Sequence, residues 1–130
     1  MEKRPESRRI YRDDFSGIEF EINVPLNLSD IIAMSKNNAE LHKRYSNFIV
    51  DGTKYVIENE VIDMCYRCTK FVVNPKLEME DWLLISLNRG DLIIAINAEI
   101  ADMMLSSVNS IAQSPLASIA GMALSENSMQ

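Results

Sequence analysis

Apolar and polar side chains alternate near the N-terminus, in residues 18–24. The alternating apolar positions are Ile18, Phe20, Ile22 and Val24. A two-residue period is typical of a strand with one buried face. Residues 10–15, followed by Ser16-Gly17, predict the partner strand of an N-terminal β-hairpin. Pro25 is expected to end the second strand, because proline has no backbone N–H to donate.

The pattern then changes to one that favours helices. Asn27 is a suitable N-cap for a helix that carries Leu28, Ile31 and Ile32 on one side. Residues 36–38 weaken this pattern, and a second short helical stretch is predicted over residues 39–50. Asp51-Gly52 indicates a turn after it.

Three further helices are predicted beyond this turn. Residues 55–73 repeat apolar side chains close to every 3.6 positions, and Pro75 is expected to stop that helix. A short helix follows over residues 82–87. The last begins at Asp91 as N-cap and runs to about Ser107. Four of its side chains are expected to face the core: Leu92, Ile96, Ile100 and Met103.

The composition changes again from Ser106 onward. These 25 residues contain seven serines and a single charged residue, Glu126, yet keep several apolar side chains. Ser114-Pro115 predicts the start of a helix over residues 115–124. Such a short helix is too small to be stable alone in water. It is expected to dock on its own body or on another protein, with disorder as the third alternative.

These patterns predict one mainly α domain, with an N-terminal β-hairpin and an apolar, Ser-rich C-terminal tail. A length of 130 residues is consistent with one domain. We divide the chain into a mobile basic arm (1–9), an α-rich domain (10–107) and a docking tail (108–130).

The net charge of −6 is unevenly distributed along the chain. Residues 1–12 contain five basic and two acidic side chains, a charge of +3, which leaves −9 on the rest. An acidic body argues against nucleic-acid binding as the main task, because phosphate contacts require a basic face.

The expected location is the cytoplasm. The first residues contain no apolar segment typical of a signal peptide. No apolar run is long enough to predict a membrane span. Two cysteines are too few for a disulfide scaffold, which favours a reducing compartment.

The candidates for chemistry have structural interpretations that we favour. Cys65 and Cys68 have the C-x-x-C spacing, but they lie within a predicted helix, and both are expected to point into the core, where burial makes thiols inert. His42 is the only histidine and is expected to lie exposed on the surface. A zinc site needs four ligands, which one chain with these residues does not readily supply. We therefore predict no catalytic, cofactor-binding or metal-binding residues.

One stretch resembles a known family. Residues 44–105 include "FVVNPKL" (71–77), an acidic turn, a short apolar helix and "GDLIIAINAEI" (90–100). In this order the segments resemble the tail assembly chaperones of long-tailed bacteriophages. The resemblance implies binding to the tape-measure protein during tail assembly, or a related permanent role in the hub or baseplate. The uncharged C-terminus differs from the family pattern and favours the structural version of this role.

The leading hypothesis is therefore a non-enzymatic assembly factor or structural adaptor of phage-tail type. It is expected in the host cytoplasm or the virion, with a protein partner and with self-association as an option. The side chains predicted to contact the partner are Met104, Leu116, Ile119 and Met122. The alternative is a small regulator that uses its basic arm on nucleic acid or on an acidic partner.

Overall fold

The computed structural model describes residues 8–24, 29 and 38–112, the last six of these through their backbone alone. The described strands are β1 (Arg8–Arg12), β2 (Glu19–Asn23), β3 (Asn47–Val50), β4 (Thr53–Val56) and β5 (Val72–Asn74). The helices are α1 (Ala39–Tyr45), α2 (Asn59–Phe71), α3 (Met79–Asn88) and α4 (Gly90–Ala112). Helix predominates and the first two described elements form a hairpin, as predicted, but three more strands are present.

The N-terminal hairpin forms as the sequence predicts. β1 and β2 pair antiparallel from Arg8 opposite Asn23 to Arg12 opposite Glu19. Gly17 closes the connection at a φ of 75°, where a side chain would be strained. Phe20, Ile22 and Val24 are buried, but Ile18 lies in the exposed connection between the strands and is itself 48% exposed.

β5 corrects the predicted end of the middle helix. The helix stops at Phe71, and Val72 pairs with Ile22 on the free side of β2. The result is a three-stranded sheet in the order β1-β2-β5, which we call the N-terminal sheet. β-branched Val72 and Val73 suit a strand, and the open hydrogen-bonding edge of β2 supplies the partner that the local pattern could not reveal.

A second, two-stranded sheet replaces part of the helix predicted over residues 39–50. Helix α1 ends at Tyr45, and β3 pairs antiparallel with β4. Asp51 and Gly52 have φ values of 50° and 78°, the positive angles of a tight two-residue hairpin turn. We call β3, this turn and β4 the ribbon. The next helix accordingly begins at Asn59, not at residue 55.

Helices α2, α3 and α4 pack against one another and against the N-terminal sheet. Trp82 on α3 is fully buried, and its ring centre lies 5.8 Å from that of Phe20 on β2. The four residues of α4 that were predicted to face the core are buried, namely Leu92, Ile96, Ile100 and Met103. Ile93 is buried with them. α4 begins at Gly90 and continues to Ala112, five residues beyond the predicted end.

One predicted boundary is wrong, and two other predicted segments lie outside the described residues. Arg8 and Arg9 belong to β1, so they are not part of a mobile arm. The predicted helix after Asn27 lies outside the described residues, apart from Ser29, and so does the tail beyond Ala112.

Candidate functional site

The two cysteines lie in the core, as predicted. Cys65 and Cys68 have no exposed surface, and both side chains come from the buried side of α2. Burial raises the pKa of Cys65 to about 11 and that of Cys68 to about 12. Both are therefore protonated thiols near neutral pH, closed off from solvent, which is the opposite of an activated nucleophile.

His42 is not the exposed side chain that the sequence predicts. Only 18% of its side-chain surface is accessible, and Nε2 lies 2.7 Å from Oδ1 of Asp63. The side-chain amide of Asn38 donates to the same oxygen at 3.2 Å. This contact joins α1 to α2, so His42 has a structural partner that its polar sequence surroundings did not indicate. Within residues 8–24 and 38–112, no three histidine, cysteine or acidic side chains are grouped to hold a metal ion.

Polar contacts fix the position of α4 on the body. The amide of Asn97 donates to the carbonyl oxygens of Met64 at 3.1 Å and of Ile93 at 2.9 Å. Its oxygen accepts a hydrogen bond of 2.8 Å from Nε of Arg67. Asn97 thus links α4 to α2 beside the buried cysteines and holds the rotation of α4 about its axis.

A second contact group, the clasp, fixes the beginning of α4. Arg89, between α3 and α4, donates two hydrogen bonds of 2.9 Å to Asp13 in the hairpin turn. It also donates to both oxygens of Asp91 in the first turn of α4. The guanidinium lies 4.9 Å from the ring centre of Phe15. We define the clasp as these four residues.

The contacts of the clasp shift the pKa values of its two carboxyl groups. Hydrogen bonds from Arg89 and Ser16 hold the pKa of Asp13 well below its usual range, since they stabilise the carboxylate. Hydrogen bonding to Arg89 also lowers the pKa of Asp91. The clasp is therefore fully charged near neutral pH and ties the hairpin turn to the start of α4.

The acidic flank of α4 is also tied to the N-terminal sheet. Arg9 on β1 donates to Glu99 and, at 3.0 Å, to Asp102. Asn97, the clasp and Arg9 hold α4 at several points along its first half. Because α4 is held in this way, the side chains on the side that faces away from the core are presented in a defined orientation.

The side of α4 that faces away from the core carries an uncharged row of apolar side chains, which we call the outer stripe. Its members are Ile94, Ala98, Ala101 and Leu105. Ile94 and Leu105 are 60% and 58% exposed, and the two alanines between them are also exposed. The spacing of four, three and four residues places all of them on one side of a helix, away from the buried row. α4 therefore has two apolar sides, and the described part of the chain covers only one.

The predicted contact residues are only partly brought to this site. Met104 is half-buried and packs against the core, so it borders the outer stripe without belonging to it. Leu116, Ile119 and Met122 lie outside the described residues. Sequence reasoning missed the four members of the outer stripe. Their helical period was visible, but two alanines gave it little weight beside the strong row that faces the core.

Comparison of the chain with protein-family models, with curated proteins and with solved structures found no match. None of the helices within the described ranges is long and apolar enough to cross a membrane.

Proposed function

We propose that this protein is a protein-binding assembly factor or structural adaptor that holds an apolar helix of its partner on the outer stripe. The observation that carries the proposal is the second apolar side of α4. A helix that served only to close the core would be expected to turn charged side chains to water on this side. Instead, Ile94 and Leu105 remain largely exposed there.

The shape of the outer stripe favours a helical partner. Ile94 and Leu105 are large, and the two side chains between them are alanines, which allow another helix backbone to approach closely. Burial of one exposed Leu or Ile side chain contributes about 1.5–3 kcal/mol. An amphipathic helix with apolar residues at i, i+3 or i+4, and i+7 matches this spacing. Asp91 and Asp102 are both paired with arginines of the chain itself, so apolar contact and not charge is expected to select the partner helix.

The resemblance to phage tail assembly chaperones supports a more specific proposal, that the partner is a tape-measure or hub protein. "GDLIIAINAEI" forms the first half of α4 and contains Ile94 and Ala98. "FVVNPKL" contributes β5 and the connection to α3. One segment that carries the resemblance therefore also carries half of the outer stripe.

The alternative, a regulator that acts through a basic arm, retains less charge than the sequence suggested. Arg8 pairs with Glu21, and Arg9 pairs with Glu99 and Asp102. Residues 1–7 contain two basic and two acidic side chains, so they have no net charge. A salt-dependent interaction through these seven residues therefore has a weak electrostatic basis.

The test compares two exposed apolar positions of the full chain. Leu105→Lys places a charge in the outer stripe, whereas Val56→Lys places the same charge on β4, where Val56 is 77% exposed. Proteins captured by the wild type from its native source are identified by mass spectrometry, purified and titrated against each variant. We expect Leu105→Lys to weaken binding at least tenfold and Val56→Lys to leave it unchanged.

Circular dichroism must first show that both variants fold as the wild type does. Full binding by Leu105→Lys and by Ile94→Lys would exclude the outer stripe as the docking surface. Loss of binding on deletion of residues 1–7, with steep weakening in salt, would support the basic-arm alternative instead. A captured protein unrelated to phage tails would refute the specific partner while leaving the docking surface intact.

A further inference from the structure

The two sheets leave four strand edges open among the described residues. The N-terminal sheet ends at β1 on one side and at β5 on the other, and the ribbon exposes an edge of β3 and an edge of β4. An open edge presents unpaired backbone N–H and C=O groups to any other strand, so soluble proteins normally block such edges.

Three of these edges carry a blocking feature. β1 has Arg8, Arg9 and Arg12, and charged side chains along an edge oppose pairing. β5 is only three residues long and is followed by Pro75, which has no N–H to donate. β4 carries Lys54 near its centre. The edge of β3 has no such feature, because Asn47, Phe48, Ile49 and Val50 include neither charge nor proline.

The hydrogen-bonding direction of each β3 residue follows from the register. Val50 lies opposite Thr53 across the two-residue turn, and Phe48 lies opposite Tyr55. Beyond the ribbon, the N–H of Ile57 donates to the carbonyl of Ser46 at 2.9 Å, which continues the same alternation. In an antiparallel pair, bonded and non-bonded positions alternate. The backbone groups of Asn47 and Ile49 therefore point away from β4, toward the open edge.

In addition, few side chains of the ribbon pack against the rest of the protein. Every residue of β4 is exposed, Ile49 on β3 is 67% exposed, and Phe48 is the side chain of β3 that packs against the core. A two-stranded hairpin is marginally stable in water, and additional strands stabilise it. An added strand on the side of β3 would satisfy the outward backbone groups and cover part of Ile49.

We infer that the occupant of this edge is β3 of a second copy of the chain. The two ribbons join into one four-stranded antiparallel sheet in the order β4-β3-β3-β4, with a two-fold axis at Phe48. Asn47 of each copy then lies opposite Ile49 of the other. Each such pair exchanges two hydrogen bonds, so the two pairs supply about four. The absence of charge on β3 allows this self-pairing, since no like charges meet at the axis.

The test exploits the direct opposition of Ile49 and Lys54 in the ribbon. Both backbone N–H groups point outward, so Ile49→Pro removes a donor from the β3 edge and Lys54→Pro removes one from the β4 edge. Neither substitution removes a β3–β4 hydrogen bond. Light scattering and sedimentation of the full chain over a range of concentrations report its mass. We expect wild type and Lys54→Pro to reach twice 14.8 kDa, and Ile49→Pro to self-associate at least tenfold more weakly.

A second variant covers the case in which proline disturbs the ribbon. Ile49→Glu keeps every backbone group and places an acid opposite Lys54, which favours the isolated ribbon, while charging the edge. It is expected to be monomeric and to keep the circular dichroism spectrum of the folded wild type. A monomeric wild type, or an Ile49→Glu variant that remains dimeric, would overturn the proposal.

The dimer and the partner-docking surface are separable. Leu105→Lys is expected to leave the dimer intact, whereas Ile49→Glu is expected to retain partner binding at the outer stripe. A monomeric Leu105→Lys variant would assign self-association to α4 and refute pairing through β3.

Discussion

The N-terminal sheet and the ribbon are built from the same unit, an antiparallel hairpin, but they relate to the body in opposite ways. In the N-terminal sheet, Phe20 and Ile22 extend into the core, and Ile22 has no exposed surface. In the ribbon, every residue of β4 is exposed. Backbone pairing is similar in both hairpins, so pairing alone does not anchor a hairpin. The difference lies in how many side chains the rest of the protein covers.

Ionic contacts reinforce this difference. Arg9 joins β1 to α4, and Asp13 joins the first hairpin turn to Arg89. The ribbon turn, at Asp51 and Gly52, has exposed residues, and within the described part of the chain no ion pair joins it to a helix. The N-terminal sheet is therefore expected to unfold together with the helices, whereas the ribbon is expected to open at lower free energy.

A matched pair of isoleucine substitutions tests this expectation with the largest effect. Ile22→Ala removes a fully buried side chain of β2 and should lower the free energy of unfolding by about 2–5 kcal/mol. Ile49→Ala removes a side chain that is 67% exposed and should change it by no more than about 0.5 kcal/mol. Urea denaturation, at a concentration where both variants have the same oligomeric state, gives the two values. Equal losses would show that the ribbon is as well anchored as the N-terminal sheet.

The second prediction breaks the tie between the first hairpin and α4. Asp13→Asn removes the carboxylate that accepts two hydrogen bonds from Arg89, so we expect a lower Tm than wild type at pH 7. Because the folded-state pKa of Asp13 is depressed, its stabilisation is present above its unfolded-state pKa of about 3.9 and is lost as the pH falls below it.

The Tm difference between wild type and Asp13→Asn should therefore be largest above about pH 5 and shrink steadily below about pH 4. Asp14→Asn is the control, because Asp14 is the exposed neighbour in the same turn. A Tm difference that does not depend on pH would mean that the carboxylate charge is not what stabilises the clasp.

The third prediction compares the two turn glycines. Gly17 and Gly52 both have positive φ, at 75° and 78°. Alanine at either position is strained by about 1 kcal/mol. Gly17→Ala should lower the free energy of unfolding of the whole protein by this amount, whereas Gly52→Ala should mainly favour local opening of the ribbon. Hydrogen exchange of individual amides separates the two results, since faster exchange confined to residues 47–56 is expected for Gly52→Ala alone.

The smallest difference between two variants is expected in the labelling rate of the buried thiols, which reports opening of the core. Cys65 and Cys68 should react with iodoacetamide at pH 8 far more slowly in the folded protein than in denaturant, because burial raises their pKa and excludes the reagent. Ile22→Ala should accelerate the labelling and Ile49→Ala should not. Rapid labelling of the wild type would contradict the closed core.

The strength of the sequence pattern decided which elements could be predicted. Ile18 to Val24 alternate strictly, and the buried row of α4 repeats regularly, so both elements were recognised with their inward sides, except that Ile18 is exposed. Residues 47–56 were assigned partly to helices, because four-residue strands contain too few positions to display a period. The turn between them was recognised, since Asp51-Gly52 is a local feature.

The candidate sites show the same distinction: positions set by a local pattern could be predicted, and contacts between distant residues could not. The inward position of Cys65 and Cys68 followed from their place in one helix. The pairing of His42 with Asp63 spans 21 residues, and that of Asp13 with Arg89 spans 76, so neither could be inferred from neighbouring sequence. The outer stripe could be seen as a period, but its exposure depends on which side of α4 the other helices cover.

By itself, the sequence determined the local features of this protein: the N-terminal hairpin, the main helices, the Asp51-Gly52 turn and the inward row of α4. These depend on periodicity and turn chemistry over short separations. Only the tertiary structure decided that Val72 joins β2, that Arg89 reaches Asp13, and that the described residues leave one apolar side of α4 and the edge of β3 uncovered. Those outcomes depend on which distant residues meet, because burial and hydrogen-bond partnership are properties of the packed chain.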